Sequence, residues 1–182
     1  LYVFTNYGIF YGDSPYIRGA KSIYQLIKEH DFDGCIIEAN FGVKKMMDGF
    51  VAKLKERGIP FVAANFGTKE APHILIDGYQ SSCQMVEHLI EEHHCTKINF
   101  VSTTKNDKIV ADSVKGYKDT LQKHGIEVDK RRIIYRSVSI QGGRKLADEF
   151  IKMQVDDAEA VVTVHDVHSI GLCLELQDRG IR

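Results

Sequence analysis

The chain has 182 residues, 43% of them hydrophobic and 27% charged, enough to bury a sizeable core. Lys and Arg (24) nearly cancel Asp and Glu (25), for a formal net charge of -1, so no basic face for nucleic acid is expected. No apolar run approaches the ~20 residues of a bilayer crossing, and four scattered cysteines (Cys35, Cys83, Cys95, Cys173) form no CxxC pair; they read as small buried hydrophobes in a reducing, cytoplasmic compartment.

Strand-length apolar runs alternate with segments of helical period. The first run is "LYVF", preceded by no initiating Met and no signal segment, so the N-terminus is expected to be a cut boundary. "GCIIEA" (34–39) follows, then a helix from Lys44 to Arg57 whose Met47, Phe50, Val51 and Leu54 share one stripe. After "PFVAAN" (60–65) and "HILID" (73–77) comes a helix marked by Cys83, Val86, Leu89 and Ile90. "KINFVS" (97–102) leads to a helix from Asp107 to His124 with Val110, Val114, Tyr117 and Leu121 on one side. "RIIYR" (132–136), a helix around Leu146 and Phe150, and "AVVTV" (160–164) complete the series.

The strands are continuous rather than alternating, which predicts burial on both faces and an α/β fold of parallel sheets covered by helices. "KERGIPFV", "QKHGIEV" and the terminal "DRGIR" each place polar residues in a last helical turn, then Gly at the C-cap. "DRGIR" ends a helix where a doubly wound sheet next needs a strand, so truncation is expected at this end too. "ANFGTKEAP" (64–72) joins two strands without a crossover helix, which suggests that the chain leaves one sheet there and enters another. The expected organisation is an N-terminal lobe over 1–76 and a C-terminal lobe over 77–182, both partial.

In open parallel sheets ligands sit beyond the carboxyl ends of the strands, near helix N-termini. This rule selects Asn6, Tyr7, Glu38, Asn40, Asn65, Thr103, Thr104, Ser137 to Ser139, His165 and Asp166. "VVTVHDVHSIG" concentrates the choice: two imidazoles and a carboxylate could be a metal site, an acid/base cluster or the polar rim of a binding cleft. His165 and Asp166 follow a buried strand and precede a helix beginning near His168, which favours the rim, with Asp166 as helix cap. A metal needs three or four converging ligands, and the two imidazoles are expected on different sides of a turn. "HLIEEHHC" puts His88 and Glu92 at i,i+4, but imidazoles in a last helical turn also simply suit the helix dipole. "SIQGGRK" lacks the P-loop frame and reads as a helix entry. No metal, cofactor or catalytic nucleophile is expected.

Several strings, taken in order, resemble the effector-binding domain of the lactose-repressor/galactose-repressor (LacI/GalR) family: "FDGCIIEA", "LKERGIPFVAAN", "ILIDGYQSSCQMVEHLIEEHHCTKINFVS", "ADSVKGYKDTLQKHGIEVD" and "AVVTVHDVHSIGLCLELQDRGI". The resemblance implies a two-lobed, type I periplasmic-binding-protein-like fold that senses a small molecule, sugar-like, in the inter-lobe cleft. It implies a homodimer, and DNA contact only through a helix-turn-helix upstream of Leu1. It also implies that His165 takes a polar ligand-contact position, and that Val138 falls where the family often has an aromatic. The family's helix usually reads R-x-x-G-(F/Y); here "SVKGY" places Ser113 in the arginine slot, which puts an ordinary sugar ligand in question. Asp107, at the head of the same helix, completes the candidate set. "NYGIFYGDSPYIRGAKSIYQLI" is similar to a variant set, some of it attached to diguanylate cyclases, so a cyclase sensor is the alternative; a transport-binding protein is the second, and the unpaired cysteines count against it.

Overall fold

The structure, a computed structural model, describes residues 32–38, 44–65, 69, 71–103 and 108–181; the expected first strand "LYVF" lies outside them. The chain divides into two compact units, Leu1–Ile76 and Asp77–Arg182.

In the first unit, β1 (Cys35–Glu38), α1 (Lys44–Glu56), β2 (Phe61–Ala64) and β3 (His73–Ile74) follow in order. The sheet order is β1-β2-β3, all parallel, with Cys35 opposite Phe61 and Ala63 opposite His73. Ile37 and Phe61 pack against Val51, Leu54 and Ile59, the inward stripe of α1 and the turn after it.

Two expectations change here. "HILID" does not enter a second sheet; its first two residues pair with the end of β2. A crossover helix is needed to carry a chain back along a whole strand. β3 lies opposite only Ala63 and Ala64, so a loop suffices for the short return. Nor are these strands buried on both faces: Ile36 is 83% exposed and β3 is exposed throughout.

The second unit comprises α2 (Gly78–Glu91), β4 (Ile98–Ser102), α3 (Lys108–Lys123), a short 3-10 turn (Lys130–Arg132), β5 (Ile133–Tyr135), α4 (Ile140–Arg144), α5 (Leu146–Lys152), β6 (Ala160–Thr163) and α6 (Asp166–Asp178). β4 is central, paired in parallel with β5 on one side and β6 on the other. Every residue of β4 is buried, as its unbroken apolar run predicts. Ile98, Phe100, Ile133 and Val162 face Val86 of α2 and Val114, Tyr117 and Leu121 of α3. On the opposite face Val101 and Ile134 meet Leu146, Ala147 and Phe150 of α5, Val155, and Leu172 of α6. Each buried Val, Leu, Ile or Phe among them contributes about 1.5–3 kcal/mol.

Helix ends follow the Gly signals. Gly58 (φ 66°) and Gly125 (φ 70°) take the left-handed region, and Ile59 N and Ile126 N reach back 2.9 Å to Leu54 O and Leu121 O. This is the Schellman closure, which Gly adopts at least cost. The closure after α5 has the same geometry with Gln154 at φ 55°. Asp77 starts α2, its carboxylate accepting from Gln80 N at 2.9 Å.

Within β4, buried Asn99 donates to Val155 O (2.8 Å) and accepts from Arg132 (3.1 Å), whose other nitrogen holds Asp157 at 2.6 Å. Lys97 and then Arg132 keep the Asp157 carboxyl down at about 2. Tyr117 lies 4.9 Å from Phe100, centroid to centroid, and its hydroxyl donates to Ile98 O at 2.8 Å. Burial pushes that phenol up to about 12. The folded protein therefore holds this proton more tightly than the unfolded chain, whose phenol titrates near ~10. The contribution is intact below that pH and is lost as pH rises to about 12. Tyr117→Phe should lower stability at neutral pH by about 1 kcal/mol and flatten this alkaline loss, as read by urea unfolding at several pH values.

Candidate functional site

Because β5, β4 and β6 are parallel, their carboxyl ends open along one edge of the second sheet. Thr103 follows β4, Ser137 to Ser139 follow β5, and His165 follows β6. Backbone bonds hold the ends together: Arg136 N donates to Ser102 O (2.9 Å) and Val164 N to Val101 O (3.0 Å). Thr103 is buried, while Val138 and His165 are half-buried.

α6 starts earlier than its sequence predicts, at Asp166 rather than near His168. His165, extended at φ -136° and ψ 134°, stands at the N-cap without a side-chain cap bond. Asp166 is therefore not the cap. It is the first helical residue, exposed, with its carboxylate accepting from Val167 N at 2.8 Å, where the positive end of the helix favours it. Thr163 Oγ1 donates to His165 O (3.0 Å) and shares a 2.6 Å hydrogen bond with Ser169 Oγ, fixing the turn.

His168 is fully buried, and its Nε2 lies 2.9 Å from Ser137 O. A carbonyl only accepts, so Nε2 is the donor, while Nδ1 is shut from solvent without a hydrogen-bond partner. The ring stands edge-on to His165, 6.0 Å between centroids. The imidazoles are thus neighbours with different tasks: His168 fastens the β5 loop to α6, and His165 lies at the strand-end edge.

Tight backbone contact supports this arrangement. A Cβ on Gly143 would lie 2.5 Å from His168 O, and one on Gly171 2.2 Å from Ile140 O. Ser139 Oγ accepts from Gly142 N at 2.9 Å, and a Cβ on Gly142 would meet Ser137 O at 2.5 Å. The glycines of "SIQGGRK" thus serve close approach. Beside them a depression of about 450 Å³ is lined by Arg136, Ser137, Gln141, Lys145 and Glu149 among others, with Arg136 ion-paired to Glu149. Arg136, Gln141 and Lys145 are not among the expected site residues; of the three, only Lys145 has a signal in the sequence, as half of the basic pair of "SIQGGRK".

In the first unit, Glu38 and Asn65 come together at the carboxyl ends of β1 and β2. Asn65 Nδ2 donates to Glu38 Oε1 at 3.1 Å, and Asn65 takes φ 64°, which Asn tolerates better than most residues. Asn6, Tyr7, Asn40 and Asp107 lie outside the described residues. All four cysteines are free; Cys173, expected to be buried, is exposed on α6 because its side of that helix faces away from the core.

The family described as "Periplasmic binding proteins and sugar binding domain of LacI family" matches residues 15–182. The chain belongs to this family. It is 29% identical over 134 residues to the catabolite control protein A of Priestia megaterium, covering 72% of this chain and 40% of that protein. To that of Staphylococcus xylosus it is 23% identical over 163 residues, covering 88% and 47%, so it spans less than half the length of both. Among solved structures, the transcription regulator CcpA of Lactococcus lactis superposes with a TM-score of 0.73 at 21% identity, covering 91% of this chain and 59% of that one. A LacI family regulator from Enterococcus faecium with bound ribose gives 0.71 at 22%, covering 89% and 58%. The transcriptional regulator CelR, in complex with cellobiose, gives 0.70 at 18%, covering 93% and 50%. These likenesses carry the fold: an α/β, type I periplasmic-binding-protein-like chain of the LacI family.

Within this LacI-type fold the departure at Ser113 is turned inward. Ser113 is 5% exposed, its hydroxyl donates to Ile109 O at 2.9 Å, and it abuts the space beside Gly78. The serine thereby lets α2 and α3 approach closely.

Gly171→Ala should lower stability by roughly 1–3 kcal/mol, because the new methyl group has a carbonyl in its place. Gly49→Ala, where a Cβ meets nothing, is the control expected to hold or raise the melting temperature.

Proposed function

We propose that this chain is the effector-sensing domain of a LacI-type bacterial transcription regulator, and that it binds a small sugar-like molecule at its strand ends. The observation that carries the reading is the polar set at the edge of the second sheet: His165, Asp166 at the start of α6, and the Ser137–Ser139 loop held by His168. Imidazole, carboxylate, hydroxyl groups and the N-terminal N–H groups of α6 alternate donors with acceptors, as a polyhydroxylated ligand requires. Family membership and the ribose and cellobiose found in relatives support the same class. Glu38 and Asn65 are proposed separately as polar contacts at the strand ends of the first unit.

The role is proposed as binding rather than catalysis. His168 is committed to Ser137 O, and "VVTVHDVHSIG" brings together no trio of metal-capable groups among the described residues. Among those residues no helix is long and apolar enough to cross a membrane, and free thiols suit a cytoplasmic protein. Ligand would act by preferring one of two arrangements of the protein, a shift that a few kcal/mol of differential affinity produces. DNA is contacted only through a helix-turn-helix outside these residues.

The proposed partner for the outer side of α6 is a second copy of the protein. Leu172 is buried on the inner side, yet Ile170, Cys173 and Leu174 are exposed, so α6 is apolar nearly all round, the mark of a helix covered on both sides. Repressor-type members of the resembled family are dimers. Sedimentation should show a dimer that Leu174→Glu dissociates; a monomer at every concentration removes this part of the reading.

Thermal-shift screening against pentoses, glucosides and cellobiose tests the effector site. A hit at 100 times its dissociation constant should add about 2.7 kcal/mol. His165→Ala should erase most of that gain, and a variant that keeps it in full sinks the site assignment.

A further inference from the structure

The C-terminal ends of α2 and α3 converge at a group of side chains that effector binding does not use. Glu87 and Glu91 stand one turn apart on α2, and His124 follows the last residue of α3. His124 Nε2 lies 3.7 Å from Glu87 Oε1 and 3.7 Å from Glu91 Oε1, and one ligand atom from each residue falls within 4.8 Å of the others. That nitrogen is sealed from solvent and has no hydrogen-bond partner. It points between two carboxylates that stand just beyond hydrogen-bond reach.

We propose that Glu87, Glu91 and His124 form a site for a divalent transition-metal cation of the Zn²⁺ class. One imidazole and two carboxylates are a ligand set such ions accept, with water completing the tetrahedron, whereas imidazole disfavours Mg²⁺ or Ca²⁺. Bonds of about 2.0–2.2 Å place tetrahedral ligands roughly 3.4 Å apart, so each observed 3.7 Å separation needs only a small inward shift. Glu91 is 53% exposed and free to make it. The negative ends of two helix dipoles meet here and add to the attraction for a cation. Lys123, bonded to Glu87, now neutralises part of that charge. At 67% exposure the lysine can swing out when a metal enters. A bound ion would tie α2 to α3 and link the stability of the second unit to metal.

A rival lies nearby. His88 Nε2 and His93 Nε2 are 3.2 Å apart on the exposed surface, a two-donor pair that could also hold Zn²⁺. The test is calorimetric titration of Zn²⁺ into the chain without any histidine tag, with thermal melting and X-ray absorption on the zinc-loaded protein. One ion should bind per chain and raise the melting temperature, while Mg²⁺ does neither. His124→Gln should weaken binding by well over the roughly 10–100-fold that loss of an outer-shell partner costs, and the His88→Gln/His93→Gln double variant should leave it intact. Glu91→Gln, on an exposed group, gives the same reading if His124→Gln fails to fold. The wild-type spectrum should show one imidazole among oxygen ligands. Two imidazoles, binding that survives both His124→Gln and Glu91→Gln, or no binding at micromolar Zn²⁺ would each overturn the proposal.

Discussion

β4 is hydrogen-bonded along both edges, and its two neighbours run the same way. A central parallel strand must be covered on both faces, so α2 and α3 close one side and α5 and α6 the other. The same direction of travel brings Thr103, the Ser137–Ser139 loop and His165 out together. The cost is polar groups inside: Asn99 is satisfied by Val155 and Arg132, whereas the Ser102 hydroxyl, at the carboxyl end, is shut in without a hydrogen-bond partner. A group of that kind typically costs about 1–3 kcal/mol, and it sits where the proposed site begins.

Small residues set the distances within this frame. A Cβ on Gly116 would meet Tyr79 O at 2.4 Å, and one on Gly78 would meet Ile109 O at 2.8 Å, so α2 and α3 touch through their backbones. Gly143 and Gly171 do the same for α4 and α6. The helices that present His165 and carry His124 are therefore placed by backbone contact, which tolerates far less drift than long side chains do.

What can be read in the sequence follows the reach of each signal. Periodicity over ten or more residues locates α1, α2 and α3, and Gly-Ile pairs mark the ends of α1, α3 and α6, because both are local. "HILID" misleads because pairing with β2 depends on where the strand starts relative to its partner, which composition does not encode. Strand burial is legible for β4, central in its sheet, and not for β1 and β3, since an apolar residue such as Ile36 looks the same in either place. The strand-end rule points to Thr103, Glu38, Asn65, His165 and Asp166 by their position after apolar runs, but it carries no sign of the inward turn of Ser113. The Glu87, Glu91 and His124 group has only half a signal: the carboxylate pair is one helix turn, while the imidazole is more than thirty residues away.

His168 belongs to α6 but bonds to the loop after β5. Two strand ends that are not neighbours in the sheet are thereby strapped together through one ring that water does not reach. Ile170 and Leu174, within two turns of it, lie on the side of the same helix that faces outward. One helix thus carries both the strap and the outward apolar row, and whatever grips its outer side also holds the far end of the strap.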